Sequence, residues 1–393
     1  MSNTKVVIVE GARTPMGGLL GSLSAVAAPE LASTAIAAAI SRSQIDPADV
    51  DEVFMGCVLP AAVKQCPARQ AAIGAGIPKS AGAVTVNKAC GSGMQATIFA
   101  YDSIVAGTNK VVVAGGMESM SNAPHMLQGA RGGLGTGHKT VYDHMFMDGL
   151  EDAYTGRAMG SFAQETVNER GITREQMDAF AIESLTRAKN AIDAGALSAE
   201  IAPVTVKTRK GDTVVTDDEQ PHKAVVEKIP GLRPAFAKDG SITAANSSSI
   251  SDGASALVLM TEDDAKSRGL SPMARIVAHS RHSQEPSEFT IAPIGAVRKL
   301  LDQAGWEVAD VDLFEINEAF AMVTMLAIQE LGLDHDKVNV HGGACAQGHP
   351  IGSTGSRIIV TLMHALKKYG KKRGVAALCI GGGEATAVGI ELI

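Results

Sequence analysis

Two cysteines, a histidine and an asparagine stand in this 393-residue chain where strand ends and glycine-rich turns would present them. Cys90 lies in Val86-Asn87-Lys88-Ala89-Cys90-Gly91-Ser92-Gly93-Met94, between a strand and a long helical run that ends near Gly107. A thiol at a helix N-terminus feels the positive end of the helix dipole, which favours thiolate. Taken alone, a small buried cysteine would satisfy the same pattern. His349 changes the weighing. It sits in the glycine-dense run Gly342 to Gly355, just before Pro350, which biases it away from helical backbone and fixes the ring on a loop. Cys379 ends an apolar strand before Gly381-Gly382-Gly383, and Asn317 follows the strand Leu313–Ile316, where it could equally serve as a helix cap. Together these residue types suit acyl transfer by a thiol combined with abstraction of a proton.

The elements that must hold them are written twice. Ala48-Asp49-Val50-Asp51 precedes an apolar run, and Ala309-Asp310-Val311-Asp312 precedes another, an offset of 261 (48 to 309). Val111 to Glu118 resembles Ala377 to Glu384, an offset of 266 (118 to 384). Two similar offsets indicate two copies of one module. Adding 261 to position 90 gives 351, so the Cys90 and His349 segments are equivalents that could meet at a pseudo-dyad. Short apolar runs alternate with helical patterns in each copy, as in βαβ units. A helix is expected from Glu318 to Leu331, closed by Gly332, and another from Pro350 to Tyr369. The stretch 121–250 breaks the pattern. It carries the Gly-rich Gly129–Gly135, an amphipathic helix near Arg174–Ala194 and the polar stretch Lys207–Asp218, and reads as an insertion covering a site between the halves.

Composition is that of an ordinary globular protein, 45% hydrophobic and 20% charged, of a length that implies two or three domains. A net charge of −7 gives no reason to expect nucleic acid or an anionic membrane as partner, and no apolar run is long enough to span a bilayer. Met1-Ser2-Asn3-Thr4-Lys5 runs directly into Val6-Val7-Ile8-Val9, leaving no room for a signal or transit peptide. Cys57, Cys66, Cys90, Cys345 and Cys379 form an odd, scattered set without metal-type pairing. Free thiols in a reducing cytoplasm are the expectation, with no metal site.

The sequence resembles the thiolase family over its whole length, most closely the tetrameric short-chain members. The resemblance rests on Asn87 to Gly93, Gly115 to Ser121, Asn317-Glu318-Ala319-Phe320, Gly348-His349-Pro350-Ile351-Gly352 and Cys379 to Gly383. It implies an α/β fold of two pseudo-symmetric βαβαβαββ halves in a five-layered αβαβα arrangement. Residues 1–120 with about 251–272 would form the first half and 273–393 the second. The covering domain, 121–250, would bind coenzyme A and form the tetramer through Met126–Asp143.

The chemistry it implies is a reversible Claisen condensation of two acetyl-CoA molecules to acetoacetyl-CoA and CoA. Cys90 would carry the acetyl group, activated by His349, and Cys379 would remove the α-proton. His349 and a water on Asn317 would stabilise the enolate, with N–H groups of Cys90 and Gly381 as oxyanion hole. No tightly bound cofactor is implied, since the CoA thioesters are substrates. For these, Ser248 and Ala244 would contact the CoA arm, Met159 and Ile291 the acyl group, and Lys223 stands nearest the adenine-packing position.

The chain departs from the family where a histidine gives way to Ala158, where Met-Gly becomes Ile291-Ala292, and at Gln347 and Cys345. These touch acyl length and CoA affinity, and a 3-ketoacyl-CoA thiolase of broader chain length in fatty-acid β-oxidation is the alternative. Decarboxylating condensing synthases would not need Cys379 as a base, and a non-catalytic CoA-binding scaffold would be expected to lack Cys90, His349 or Cys379.

Overall fold

The computed structural model describes residues 4–209 and 211–393. Met1–Asn3, the start of the leader reading, and Lys210, within the polar stretch Lys207–Asp218, lie outside the described residues. The first half runs β1 (Val6–Arg13), α1 (Ala28–Ser43), β2 (Glu52–Gly56), α2 (Pro67–Gly74), β3 (Gly82–Val86), α3 (Ser92–Val105) and β4 (Val112–Ser119). The insertion follows, with α4 (Met159–Arg170) and α5 (Arg174–Asp193). The chain then resumes with β5 (Ser251–Thr261), β6 (Ala274–Ser283), α6 (Ala292–Ala304), β7 (Leu313–Ile316), α7 (Ala321–Leu331), α8 (Thr354–Lys368), β8 (Arg373–Ile380) and β9 (Glu384–Leu392).

The strands hydrogen-bond in the order β7-β8-β9-β6-β1-β5-β4-β2-β3. Read outward from the β1–β6 junction, the two arms match strand for strand: β5 with β9, β4 with β8, β2 with β7. Even the place of β3 has a counterpart, an isolated parallel bridge from Phe314 to Val338. A bulge interrupts β1 between Ile8 and Glu10 against β5, and another interrupts β6 between Ile276 and Ala278 against β9. Asp51 accepts the Lys110 and Val111 N–H groups at 2.7 and 3.0 Å, while Asp312 accepts those of Lys372 and Arg373 at 3.0 and 2.9 Å. The duplicated Ala-Asp-Val-Asp is therefore one device used twice, a carboxylate that starts the neighbouring strand.

The ladders fix the true register of the repeat. Glu52 pairs with Val112 and Leu313 with Gly374, so the copies correspond at offsets of 261 (52 to 313) and 262 (112 to 374). The apparent match at 266 slides β4 along β8 by four residues. It arose because both strands run from apolar residues into glycines.

Five layers result. Helices α1 and α2 cover the first arm through Leu31, Ile36, Ala71 and Val113. Helices α6 and α7 cover the second through Val297, Leu300, Phe314 and Ala327. Between the arms lie α3 and α8, whose Met94, Ile98, Ile359 and Leu366 join apolar residues of both sheets. A helix buried on all sides belongs in the middle of such a stack. The central helices meet along a glycine seam: a Cβ at Gly93 would collide with the Ser356 amide, and one at Gly355 with the Met94 amide.

The insertion is anchored by buried charge. Arg13, at the end of β1, donates to Glu200 at 2.6 Å and to both oxygens of Asp218 at 2.7 and 2.9 Å. Such a group is tolerable in the interior only because partner charges surround it. Helix α5 opens with a Thr173/Gln176 capping box. Two expected helix starts shift. Glu318–Phe320 is extended because Ser248 donates to Ala319 O and Ala321 to Asn246 O, so α7 begins at Ala321. Pro350–Ser353 forms a turn whose Gly352 N–H leaves for Glu118, and α8 begins at Thr354. Among the described residues, no helix is long and apolar enough to cross a membrane.

Candidate active site

β3 ends at Val86 and α3 starts at Ser92, leaving five residues to turn the chain. Ala89 takes up the reversal with a φ of +42°, which a non-glycine residue adopts only at a cost of about 1 kcal/mol. The turn is braced by its own polar groups. Lys88 N–H donates to Ser92 Oγ at 2.8 Å, Ser92 Oγ donates to Ala89 O at 2.7 Å, and Ala89 N–H donates to Asn87 Oδ1 at 3.0 Å. Cys90 is thereby carried to the inner face between the halves, packed beside Ile351, two residues from His349.

The N–H groups of Gly381 and of Cys90 itself are directed at the sulfur. They favour thiolate, yet burial outweighs them and pushes the Cys90 thiol up to about 11. This corrects the expectation from the helix dipole alone, which left out the cost of removing the sulfur from water. Cys379, at the end of β8, is fully buried and also pushed up, first by burial and then by the proximity of Cys90. The charge of a Cys90 thiolate therefore reaches Cys379.

His349 is buried, and its Nδ1 lies 2.6 Å from Thr354 Oγ1, which in turn donates to Pro350 O at 3.1 Å. A hydroxyl that gives its proton to Pro350 must accept from Nδ1–H, leaving Nε2 as a bare lone pair. Nε2 has no protein partner. Burial, then the Arg357 charge, depress its pKa to about 3, so the ring is neutral. Asn317 follows β7, its N–H held by Ala377 O at 3.0 Å. Both polar atoms of its side chain are buried without partners. Buried polar atoms are normally satisfied, so each such orphan marks where a substrate or water belongs.

His349 opens into a cavity of roughly 560 Å³ whose lining includes Met159, Ala244, Ser247, Ser248, Phe236 and Phe320. Three of the expected contacts, Ser248, Ala244 and Met159, thus border it, and Met159 also stands over Gly381. Ile291 does not border it. It packs partly buried against the cluster that holds Cys379 and Phe289, because it lies in the helical turn just before α6. Lys223 borders a neighbouring cavity of roughly 290 Å³ with Lys228 and Leu232, and its ammonium is paired with Glu219. The two cavities share Gln220, Ala244 and Ser249, so an elongated molecule could occupy both. Among the described residues, no group of three or more His, Cys, Asp or Glu side chains could hold a metal ion.

Four residues gained no role from the sequence. Thr354 orients the imidazole. Ser247, with an unpartnered buried hydroxyl, borders the main cavity. Glu318 accepts from Ser184 at 2.7 Å, Asn339 at 2.8 Å and the Cys345 N–H at 3.1 Å, which pins the loop after Asn317. Glu118 accepts three backbone amides around the Cys90 pocket. For the two glutamates a signal was present: a lone carboxylate inside an apolar run is either paired or functional.

The comparisons with known proteins agree with this geometry. The family descriptions "Thiolase, N-terminal domain" and "Thiolase, C-terminal domain" match residues 6–263 and 270–392. The chain is 50% identical to acetyl-CoA acetyltransferase 2 of Arabidopsis thaliana, covering 99% of this chain and 97% of that one. The crystal structure of Acat5 thiolase from Ascaris suum in complex with coenzyme A superposes with a TM-score of 0.94 at 42% identity, over 99% and 100% of the two chains. That of the Bacillus anthracis acetyl-CoA acetyltransferase gives 0.97 at 42% identity, over 99% of each. The chain belongs to the thiolase family and has the thiolase fold.

Proposed function

We propose that this acyltransferase is an acetyl-CoA C-acetyltransferase, which condenses two acetyl-CoA to acetoacetyl-CoA and CoA and runs the thiolysis in reverse. The observation that carries the reading is the proximity of two thiols, Cys90 and Cys379, in a chain whose His349 lines the main cavity with a free Nε2 and whose Asn317 side-chain amide is buried without a partner.

In the first half-reaction, Cys90 attacks the thioester carbonyl as its proton passes to Nε2 of His349. Collapse of the tetrahedral adduct expels the CoA sulfur, which takes its proton from the nearby Cys379 thiol, leaving Cys379 as thiolate beside a His349 that keeps the proton from Cys90. The resting pair is neutral thiol and neutral imidazole, so no ion pair has to be held in the dry pocket before substrate arrives. The N–H groups of Cys90 and Gly381, already directed at the sulfur, lie where a carbonyl oxygen bonded beside it gains negative charge.

In the second, Cys379 takes the α-proton of another acetyl-CoA. Acetylated Cys90 carries no charge, so the repulsion that helps to raise the Cys379 pKa is gone at the moment Cys379 must serve as a base. The Asn317 amide, holding a water, and His349 face the enolate oxygen. For that task Nε2 carries the proton it took from Cys90, while Nδ1–H stays on Thr354. The enolate carbon attacks acetyl-Cys90, and the Cys90 sulfur leaves and recovers its proton from Nε2 of His349, the α-proton staying on Cys379.

The thioester's acyl end lies by Met159, its pantetheine arm by Ala244 and Ser248, and its phosphates toward Lys223 and Lys228 in the outer cavity. No tightly bound cofactor is required. The unit 121–250 binds CoA, and the 125–143 hairpin, with exposed Leu127, Leu134, Val141 and Tyr142, joins the chain into a homotetramer. Five free thiols without a disulfide suit the cytoplasm, and the product serves fatty acid metabolism.

The test is kcat/KM for thiolysis of C4, C6 and C10 3-ketoacyl-CoA. The C4 substrate is expected to lead. Each methylene that the cavity accepts contributes about 0.8 kcal/mol, enough to blur the preference. A tenfold lead for C10 would replace this reading by a thiolase of broad chain length, with Ala158 in the cavity wall as the structural reason.

A further inference from the structure

Glu118 ends in the interior near the close of β4, and the reaction above makes no use of it. Its Oε2 accepts the Val58 N–H at 3.0 Å and the Gly352 N–H at 2.9 Å, and its Oε1 accepts the Leu59 N–H at 3.1 Å and the Cys57 thiol at 3.7 Å. These donors come from two segments far apart in the sequence, which also pack together through Val58, Leu59 and Ile351. Residues 57–59 follow β2, and Gly352 lies between His349 and α8. Only a carboxylate offers two acceptor oxygens and no proton to obstruct the amides.

Its charge also reaches Cys90, where it opposes the thiolate. The titratable groups that interact with Glu118 are the Cys57 thiol, which donates to it, and the Cys90 thiol, which feels its charge. Burial, only partly offset by the four donors, raises the Glu118 pKa to about 7, so its charge changes within the working range of an enzyme.

We propose that Glu118 is a positioning residue for acyl transfer: it ties the loop bearing His349 to the strand end beside Cys90, and its negative charge adds to the burial that keeps the proton on the Cys90 sulfur. This rests on the reading of Cys90 as nucleophile and deepens it. The tie predicts a geometric effect on turnover, and the charge predicts an effect on the thiol alone. The two can be separated.

The experiment measures two quantities in wild type, Glu118→Gln and Glu118→Asp. One is the pH profile of iodoacetamide labelling at Cys90, read on its own peptide by mass spectrometry because Cys66 is also exposed. The other is kcat and KM for condensation. Glutamine has one acceptor oxygen and no charge, so its labelling midpoint moves to lower pH while kcat falls about 10- to 100-fold with KM little changed, the scale of a displaced catalytic loop. Aspartate keeps the charge but falls short of Gly352, so its midpoint stays while its kcat falls. An unmoved midpoint in the glutamine variant overturns the charge role, and wild-type kcat in the aspartate variant overturns the tie. If the glutamine variant does not fold, the aspartate variant alone decides. A wild type that never condenses would instead remove the underlying reading, whatever the variants do.

Discussion

The two arms of the sheet end in equivalent places and treat their polar groups in opposite ways. After β2, the amides of Val58 and Leu59, joined by that of Gly352, close upon a carboxylate of the chain itself, Glu118. After β7 and before α8, the side-chain amide of Asn317 and the Nε2 of His349 have no partner. The loop after β2 is satisfied from within and serves as scaffold. The second copy's groups are left open and can be satisfied only by a substrate or by water. The two copies thus build one working site, the first supplying Cys90 and a braced loop, the second His349, Asn317 and Cys379. Unsatisfied polar atoms, rather than the fold, tell the two apart.

The largest effect should come from the nucleophile that the first copy contributes. Cys90→Ser is expected to abolish label transfer from radiolabelled acetyl-CoA to protein, a loss of roughly 10⁴-fold or more, because a hydroxyl there is far less readily ionised than a thiol. Label persisting at the wild-type rate would take that role from Cys90. Cys379→Ala should split the half-reactions, with acetylation intact and condensation down by about 10²-fold or more, as for loss of a positioned base. Condensation at the normal rate would reduce Cys379 to core packing.

Thr354→Val removes the hydroxyl that supports the imidazole and should cost about tenfold or more in kcat, with folding preserved because valine has nearly the same shape. Thr354→Ser should restore most of it, and a serine variant as slow as valine would show that the methyl, not the hydroxyl, matters.

The smallest effect compares the arms by pH. Glu118 has a folded pKa of about 7, above the ordinary 4.5, so its contribution to stability is whole below pH 4.5 and is lost as pH rises through 7. Glu315, pushed to about 8 by burial, acts in the same direction. His349 has a folded pKa of about 3 against an ordinary 6.5, so its contribution is whole above 6.5 and is lost as pH falls through 3. Thermal midpoints should therefore decline on both sides of roughly pH 6, and Glu118→Gln should flatten only the alkaline side. An unchanged alkaline slope would mean that Glu118 does not titrate in the folded protein.

Much of this was legible because it is local. Ala-Asp-Val-Asp appears twice because one carboxylate must start one strand in each arm, and the glycines beside Cys90, His349 and Cys379 announce tight turns. What depended on three-dimensional surroundings was not legible. The dipole argument for Cys90 pointed toward thiolate, and only burial reversed it. Glu118 and Gly352 are 234 positions apart, and no periodicity joins them. Glu318 reads as the start of a helix until the pairing of Ser247 with Phe320 holds that segment extended. Ile291 occupies a pocket-lining position by resemblance, yet it packs into the core beside α6.

The glycine seam between α3 and α8 has a mechanical consequence. Hydrostatic pressure destabilises a folded protein through the internal voids that it can eliminate. Where Gly93 presses against Ser356 and Gly355 against Met94, no void exists to be eliminated. The open volume lies instead beneath the 121–250 unit, in the cavity of roughly 560 Å³. Compression should therefore collapse the covering unit and silence the enzyme while the stacked sheets remain intact.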